Sequence, residues 1–179
     1  GPDITYCSVS ITEPASDSWE GRGGGEVGEE LILAKDLIGN VMRNHADVIE
    51  EFPGSDLVGK SYSPLFPGAI DRGSSESAWT VVSADFVTTT DGTGVVHTAV
   101  MYGEDDYRLG MEVGFPAQHT VGMDGSFVSG VHENLDGRYV KDCDDEIIGL
   151  LDARGLLYRG HDYTHDYPHC WRRDHPLLY

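Results

Sequence analysis

Residues 91–107 read DGTGVVHTAVMYGEDDY, from Asp91 to Tyr107, and the order of residue types in them decides what fold to expect. Asp91-Gly92 is a hairpin signal, because glycine accepts the positive φ that tight β-turns require. Val95 to Ala99 follows as a short, largely apolar run and predicts a buried strand carrying His97. Glu104, Asp105 and Asp106 then crowd the first turn of a predicted helix over 104–113, closed by Gly114 and Pro116. Acids in a first turn are stabilised by the helix dipole at about 0.3–1 kcal/mol each, so their presence has a purely structural explanation. A lone histidine on an apolar strand has one too, as a packed core residue. The alternative is chemical. Turn, strand and acidic helix start can present an imidazole and a carboxylate to one pocket, and a carboxylate there holds an ammonium group through a charge-assisted hydrogen bond.

Upstream, 4–11 alternates apolar and polar residues and predicts a first strand. Strands are also predicted over 30–34, 47–52 and 78–84, with a bent one over 57–66 that Gly59 and Pro64 interrupt. A helix is predicted over 35–45, where Leu37, Ile38, Val41 and Met42 have helical spacing. Downstream, Asp124-Gly125 marks another turn, and 142–154 fits a helix with Ile147, Ile148, Leu150 and Leu151 on its apolar face. Residues 156–159 return as a strand. The loop 14–28 contains Gly23-Gly24-Gly25 but is not a phosphate cradle: no apolar strand feeds into it, and Glu26, Glu29 and Glu30 would repel phosphate. Short strands with glycine turns and a few helices predict one α+β domain over 1–179, mainly a closed or partly closed β-barrel with peripheral helices.

The charge is extreme: 31 acids against 12 Lys plus Arg give a formal net charge of -19 over 179 residues. Such a surface repels nucleic acid, since phosphate affinity comes from counterion release by Lys and Arg. Either the acids serve a partner, or they are an adaptation to a high-salt cell, where charges are screened within about 3 Å at 1 M. Few lysines and dispersed aspartates favour the salt explanation. Three scattered cysteines (Cys7, Cys143, Cys170) make no disulfide framework and predict a reducing, cytoplasmic setting. No apolar run reaches the roughly 18 residues that a membrane span needs.

With these readings in place, the 91–107 stretch resembles the editing domain of isoleucyl-tRNA synthetases, the insertion that hydrolyses tRNA charged with the wrong amino acid. That family carries a GTG-(V/A)-V-H-x-A run, a short loop and G-x-D-D-Y. Gly92, Thr93, Gly94, Val95, Val96, His97 and Ala99 match the first part, and Gly103, Asp105, Asp106 and Tyr107 the second. The family's second aspartate holds the substrate's amino group and its histidine borders the side-chain pocket. The resemblance therefore implies Asp106 and His97 as the catalytic pair, with Thr98, Ala99, Gly103, Asp105 and Tyr107 around the substrate. The loop Val100-Met101-Tyr102 departs from the family's common Pro-Gly-His or Pro-Ala-Phe.

The resemblance continues in the C-terminal stretch YTHDYPHCWRRDHPLLY (163–179), where the family often has Cys-Trp-Arg-Cys. Here Arg173 stands for the second cysteine. His161, His165, His169, Cys170 and His175 do not close a convincing tetrad, so no metal is expected. Arg172 and Arg173, the only adjacent pair of bases, are candidate tRNA contacts, or simply a solubilising pair.

The implied reaction is metal-free hydrolysis of valyl-tRNA(Ile), with no cofactor in this domain and ATP and Mg used elsewhere in the parent synthetase. Isoleucine against valine is the standing case of the problem: one methylene in an apolar pocket discriminates by only about 1–3 kcal/mol, so a second site must clear the smaller product. The implied partners are mischarged tRNA(Ile) and the catalytic body of the synthetase. The family's threonine-rich peptide, resembling TTTPWT, does not occur in the chain, and Thr88-Thr89-Thr90 lacks its Pro-Trp continuation. The chain is thus expected to be part of a larger class I synthetase, cut just downstream of that peptide. Two other readings stay open: an acidic β-barrel that docks tRNA or a neighbouring domain without catalysis, and a free-standing esterase.

Overall fold

Thr5–Ile11 buries Cys7, Val9 and Ile11 on one face, the period-2 pattern of a half-buried strand. It forms β1, the centre of a three-stranded antiparallel sheet of order β2-β1-β3, with β2 at Glu30–Ala34 and β3 at Ala46–Pro53. The computed structural model describes residues 1–16, 20–71, 73, 75–162 and 171–172. Tyr6 is paired with Ala34 on one side and Phe52 on the other, and a bulge between Ser8 and Val9 leaves Ile49 unmatched. A 3-10 turn at Lys35–Leu37 leads into the short helix α1 (Ile38–Met42). Two longer helices follow, α2 (Glu104–Val113) and α3 (Asp144–Ala153).

Cys7, Val9, Ile11, Leu33 and Met42 make one apolar cluster between sheet and α1, each side chain contributing about 1.5–3 kcal/mol of burial. Tyr6, Ala34, Leu37 and Leu57 make another on the opposite face of the sheet. A third, around Val131, Leu135 and Cys143, sits under α3 and holds the downstream loops. The glycine-rich loop straps the sheet to α3: Gly23 N–H donates to Asp152 Oδ1 (2.7 Å) and Gly24 N–H to the Tyr158 carbonyl (2.7 Å). Those amides are spent on protein acceptors, as befits a loop that is not a phosphate cradle.

The α+β class is as expected, but the barrel is not. Among the described residues the sheet is open, with β2 and β3 as free edges. The strand expected over 78–84 reduces to one bridge, Ser61 with Thr80, flanked by hydrogen bonds between 59–62 and 79–81. Trp79 stands at φ 57°, outside extended backbone, so the ladder stops there. The strand expected over 156–159 is a strap instead: Tyr158 accepts from Gly24, and the Arg159 guanidinium donates to the Asn40 carbonyl (3.0 Å) behind α1. Apolar runs read as strands, but a strand needs a neighbour to pair with, and these runs have none of sufficient length.

Exposed Asp47, Glu50 and Glu51 on β3 are charges of the kind that protect a sheet edge. With a net charge of -19, self-repulsion opposes the folded state. Thermal unfolding should therefore shift upward strongly between low salt and about 2 M KCl, where screening reaches only a few ångström. A flat response would assign the acids to a partner.

Asp136 organises the downstream loops by accepting three backbone N–H groups, from Gly130 (2.7 Å), Val131 (3.0 Å) and His132 (2.9 Å). These bonds, that from Gly130 foremost, hold its carboxyl below the ordinary value of 3.8. The charged form is thus favoured by folding, so its stabilisation is complete above pH 3.8 and is lost as pH falls through the lowered folded value. Asp136→Asn should be less stable than the parent at neutral pH, and the gap in urea midpoint should close below pH 3.8. A gap that does not depend on pH would contradict this assignment.

Candidate functional site

The core of the site is a loop hung on the sheet at one end and on α2 at the other. At the first end, the Ala34 N–H at the end of β2 donates to the Thr93 carbonyl (2.8 Å), and the buried Tyr6 hydroxyl donates to the Gly94 carbonyl (2.6 Å). Gly94 has φ 76°, and a Cβ built on it would lie 2.5 Å from the Ala34 Cβ. Glycine is needed there twice over, for the left-handed backbone and for the close approach.

Beyond Gly94 the chain leaves the sheet. The strand expected over 95–99 is irregular, and Val95 and Val96 are 50% and 52% exposed, so it is neither buried nor paired. The physical reason lies in the turn: Gly92 and Gly94 both take positive φ, so only Thr93 and Gly94 meet β2 before the chain diverges. His97 is exposed, while Thr98 and Ala99 are half-buried.

At the second end, a tight turn (Tyr102 N–H to the Ala99 carbonyl, 2.8 Å) leads to Gly103, the N-cap of α2. The helix spans the expected residues, and Gly114 closes it in the left-handed conformation, with Phe115 N–H bonding the Gly110 carbonyl. The three acids of its first turn are not equivalent. Arg108 pairs with Glu104 (2.5 Å) and Asp105 (3.9 Å), one helical turn away. Asp106 is half-buried, and its carboxylate folds back over Gly103: a Cβ on that glycine would lie 2.5 Å from Asp106 Oδ2. Two carboxylates are thus neutralised on the surface while the third faces the loop.

Gly103 and Tyr107 line a small open groove of about 260 Å³ with Val100, Met101, Tyr102 and Glu104. His97, Thr98, Ala99, Asp105 and Asp106 are not in its lining; Asp106 adjoins it through Gly103. A half-buried carboxylate beside a small, largely apolar groove is suited to an ammonium group on a short aliphatic ligand. Further along, Arg172 stacks on the 85%-exposed ring of Trp171 at 4.6 Å, whereas Arg173 lies outside the described residues. So do His165, His169, Cys170 and His175 of the histidine-rich stretch. Among the described residues no group of three or more His, Cys, Asp or Glu is placed to hold a metal ion.

Residues that the sequence did not mark complete the picture. Tyr6 holds the Gly94 end, and Tyr102 holds the α2 end through the backbone of Thr120 and Val121. Their contacts cross 88 and 18 positions of chain, a separation that local patterning does not register.

No family model matches the sequence. Known proteins do. Over 152 residues, 85% of this chain, it is 45% identical to the isoleucine–tRNA ligase of Clostridium novyi, and similarly 42% identical to that of Bacillus thuringiensis. Against the isoleucine–tRNA ligase of Corynebacterium efficiens, identity is 38% over 181 residues, covering 99% of the chain. The chain is homologous to a segment of isoleucine–tRNA ligases. It spans about 14% of the length of the first two relatives and 16% of the third. Its relation is therefore to an aminoacyl-tRNA synthetase. No helix among the described residues is long and apolar enough to cross a membrane.

Proposed function

We propose that this chain is the editing domain of an isoleucine–tRNA ligase and hydrolyses valyl-tRNA(Ile). The observation that carries the proposal is the acidic corner at the start of α2, where Arg108 pairs with Glu104 and Asp105 and leaves Asp106 turned toward the loop. Asp106 anchors the α-amino group of the misplaced valine and so orients the ester, a contribution of position rather than of proton abstraction. An aminoacyl ester is already activated, so a positioned water is the only co-reactant. His97 borders the amino acid's side chain, with Thr98, Ala99, Gly103 and Tyr107 around it, while Asp105 stays on the surface with Arg108. Arg172, and Arg173 beyond it, supply positive charge to the tRNA backbone on an otherwise acidic surface. The rest of the ligase binds the tRNA body and uses ATP and Mg for aminoacylation.

The test is deacylation of valyl-tRNA(Ile) against isoleucyl-tRNA(Ile) in high KCl, by the chain alone and by the chain with a threonine-rich segment fused to its N-terminus. Selective loss of valine is the expected result. The exposure of His97 and the shallowness of the groove favour a second reading, an acidic module that docks tRNA or a neighbouring domain without cleavage. Binding without turnover in both forms would select it.

A further inference from the structure

The hydroxyl of Tyr102 has a fuller set of partners than a surface tyrosine needs. It accepts the backbone N–H of Thr120 (2.8 Å) and of Val121 (2.9 Å), and it lies 3.2 Å from Thr120 Oγ1. A phenol oxygen has two acceptor sites and one proton. Two amides fill the acceptor sites, so the proton goes to Thr120 Oγ1, and every hydrogen-bonding position of the group is used. The His119 ring adds an edge-on contact at 6.1 Å between centroids. Tyr102 is also the residue immediately before Gly103, and its own N–H is tied to the Ala99 carbonyl. On the other side of the turn, Val100 packs against Gly110 in the second turn of α2, so the helix lies across the loop.

We infer that Tyr102 is a positioning residue: its hydroxyl pins the loop before α2 to the 119–121 segment and so fixes where the Asp106 carboxylate points. The reasoning is geometric. Asp106 is held over Gly103, Gly103 is joined to Tyr102 by one peptide bond, and a planar peptide passes displacement on without absorbing it. Without the hydroxyl, the amides of Thr120 and Val121 lose their acceptor, and the turn is free to pivot about Ala99. A misplacement of about 1 Å can cost as much as 100-fold in an oriented reaction.

This inference rests on the proposed function for its kinetic readout, so the experiment has an arm that does not. In the Tyr102→Phe variant, backbone amide exchange at Thr120 and Val121 should accelerate, and the carboxyl carbon resonance of Asp106 should shift. Thermal stability should change little, since one partly exposed hydroxyl is removed. Accelerated exchange with an unmoved Asp106 resonance would overturn the positioning role whatever the enzyme does. For the kinetic arm, the full ligase is assayed on valyl-tRNA(Ile) with Tyr102→Phe, Asp106→Asn and both. The expected result is a loss of about tenfold in kcat/KM from Tyr102→Phe alone and no further loss when Asp106→Asn is already present. Equal losses in both backgrounds would mean that Tyr102 acts on the fold in general and not through Asp106. If the parent ligase deacylates nothing, the proposed function fails, and the resonance arm still decides the positioning role.

Discussion

Asp106→Ala should lower deacylation of valyl-tRNA(Ile) by about 10- to 100-fold, the largest effect expected of any single side chain in the site. A hydrogen bond to a charged group contributes about 1.5–3 kcal/mol, and each 1.4 kcal/mol is a factor of ten. The neighbouring acids supply the control. Glu104 and Asp105 are exposed and paired with Arg108, in the class of helix-surface pairs worth about 0.2–0.5 kcal/mol. Glu104→Ala and Asp105→Ala should therefore leave the rate within about twofold. Three consecutive carboxylates with one sensitive position would be hard to explain by helix stability, because the dipole acts on all three alike. Activity retained in Asp106→Ala would remove that residue from the site. A uniform loss across all three would point instead to the electrostatics of the helix start.

The parts of this fold visible in the sequence are those set by local rules. β2 and α2 fall on the expected residues, and β1 and β3 within one residue at each end, because alternation, acidic first turns and a closing glycine are all written within a few positions. What was not visible depends on distant partners. Val95 to Ala99 has the composition of a buried strand, yet the bond from β2 reaches only Thr93, before the run begins, and the run lies largely in solvent. Residues 78–84 have a similar composition and lose their ladder at Trp79. The expected barrel fails for the same reason: counting strand-like runs cannot say whether each finds an edge. Within 91–107, the acidic start of α2 and the turning of Asp106 away from its neighbours were legible from residue order. The tyrosines that hold its two ends were not, because a tyrosine in a strand and one in a loop give no local sign of what their hydroxyls reach.

Gly94→Ala should be strongly destabilising, and the structure separates its causes. The left-handed backbone at φ 76° costs an alanine about 1–2 kcal/mol. A Cβ placed 2.5 Å from the Ala34 Cβ adds an overpacking cost of about 1–3 kcal/mol. Relief by moving the loop is not free, since it breaks the bonds from Ala34 N–H to Thr93 and from the Tyr6 hydroxyl to Gly94. Together these predict a fall in melting temperature on the order of 10 °C for a chain of this size. Gly92 provides the comparison: it has φ 70° but open space around it, so Gly92→Ala should show only the backbone share, about 1–2 kcal/mol. Ala34→Gly tests the contact itself. It removes the atom that the new methyl would strike, so Gly94→Ala combined with Ala34→Gly should be more stable than the sum of the two single losses. Strict additivity, or equal losses at Gly92 and Gly94, would mean that the loop does not dock on β2 as the structure has it. The support for the 93–97 loop would then have to come from another part of the chain.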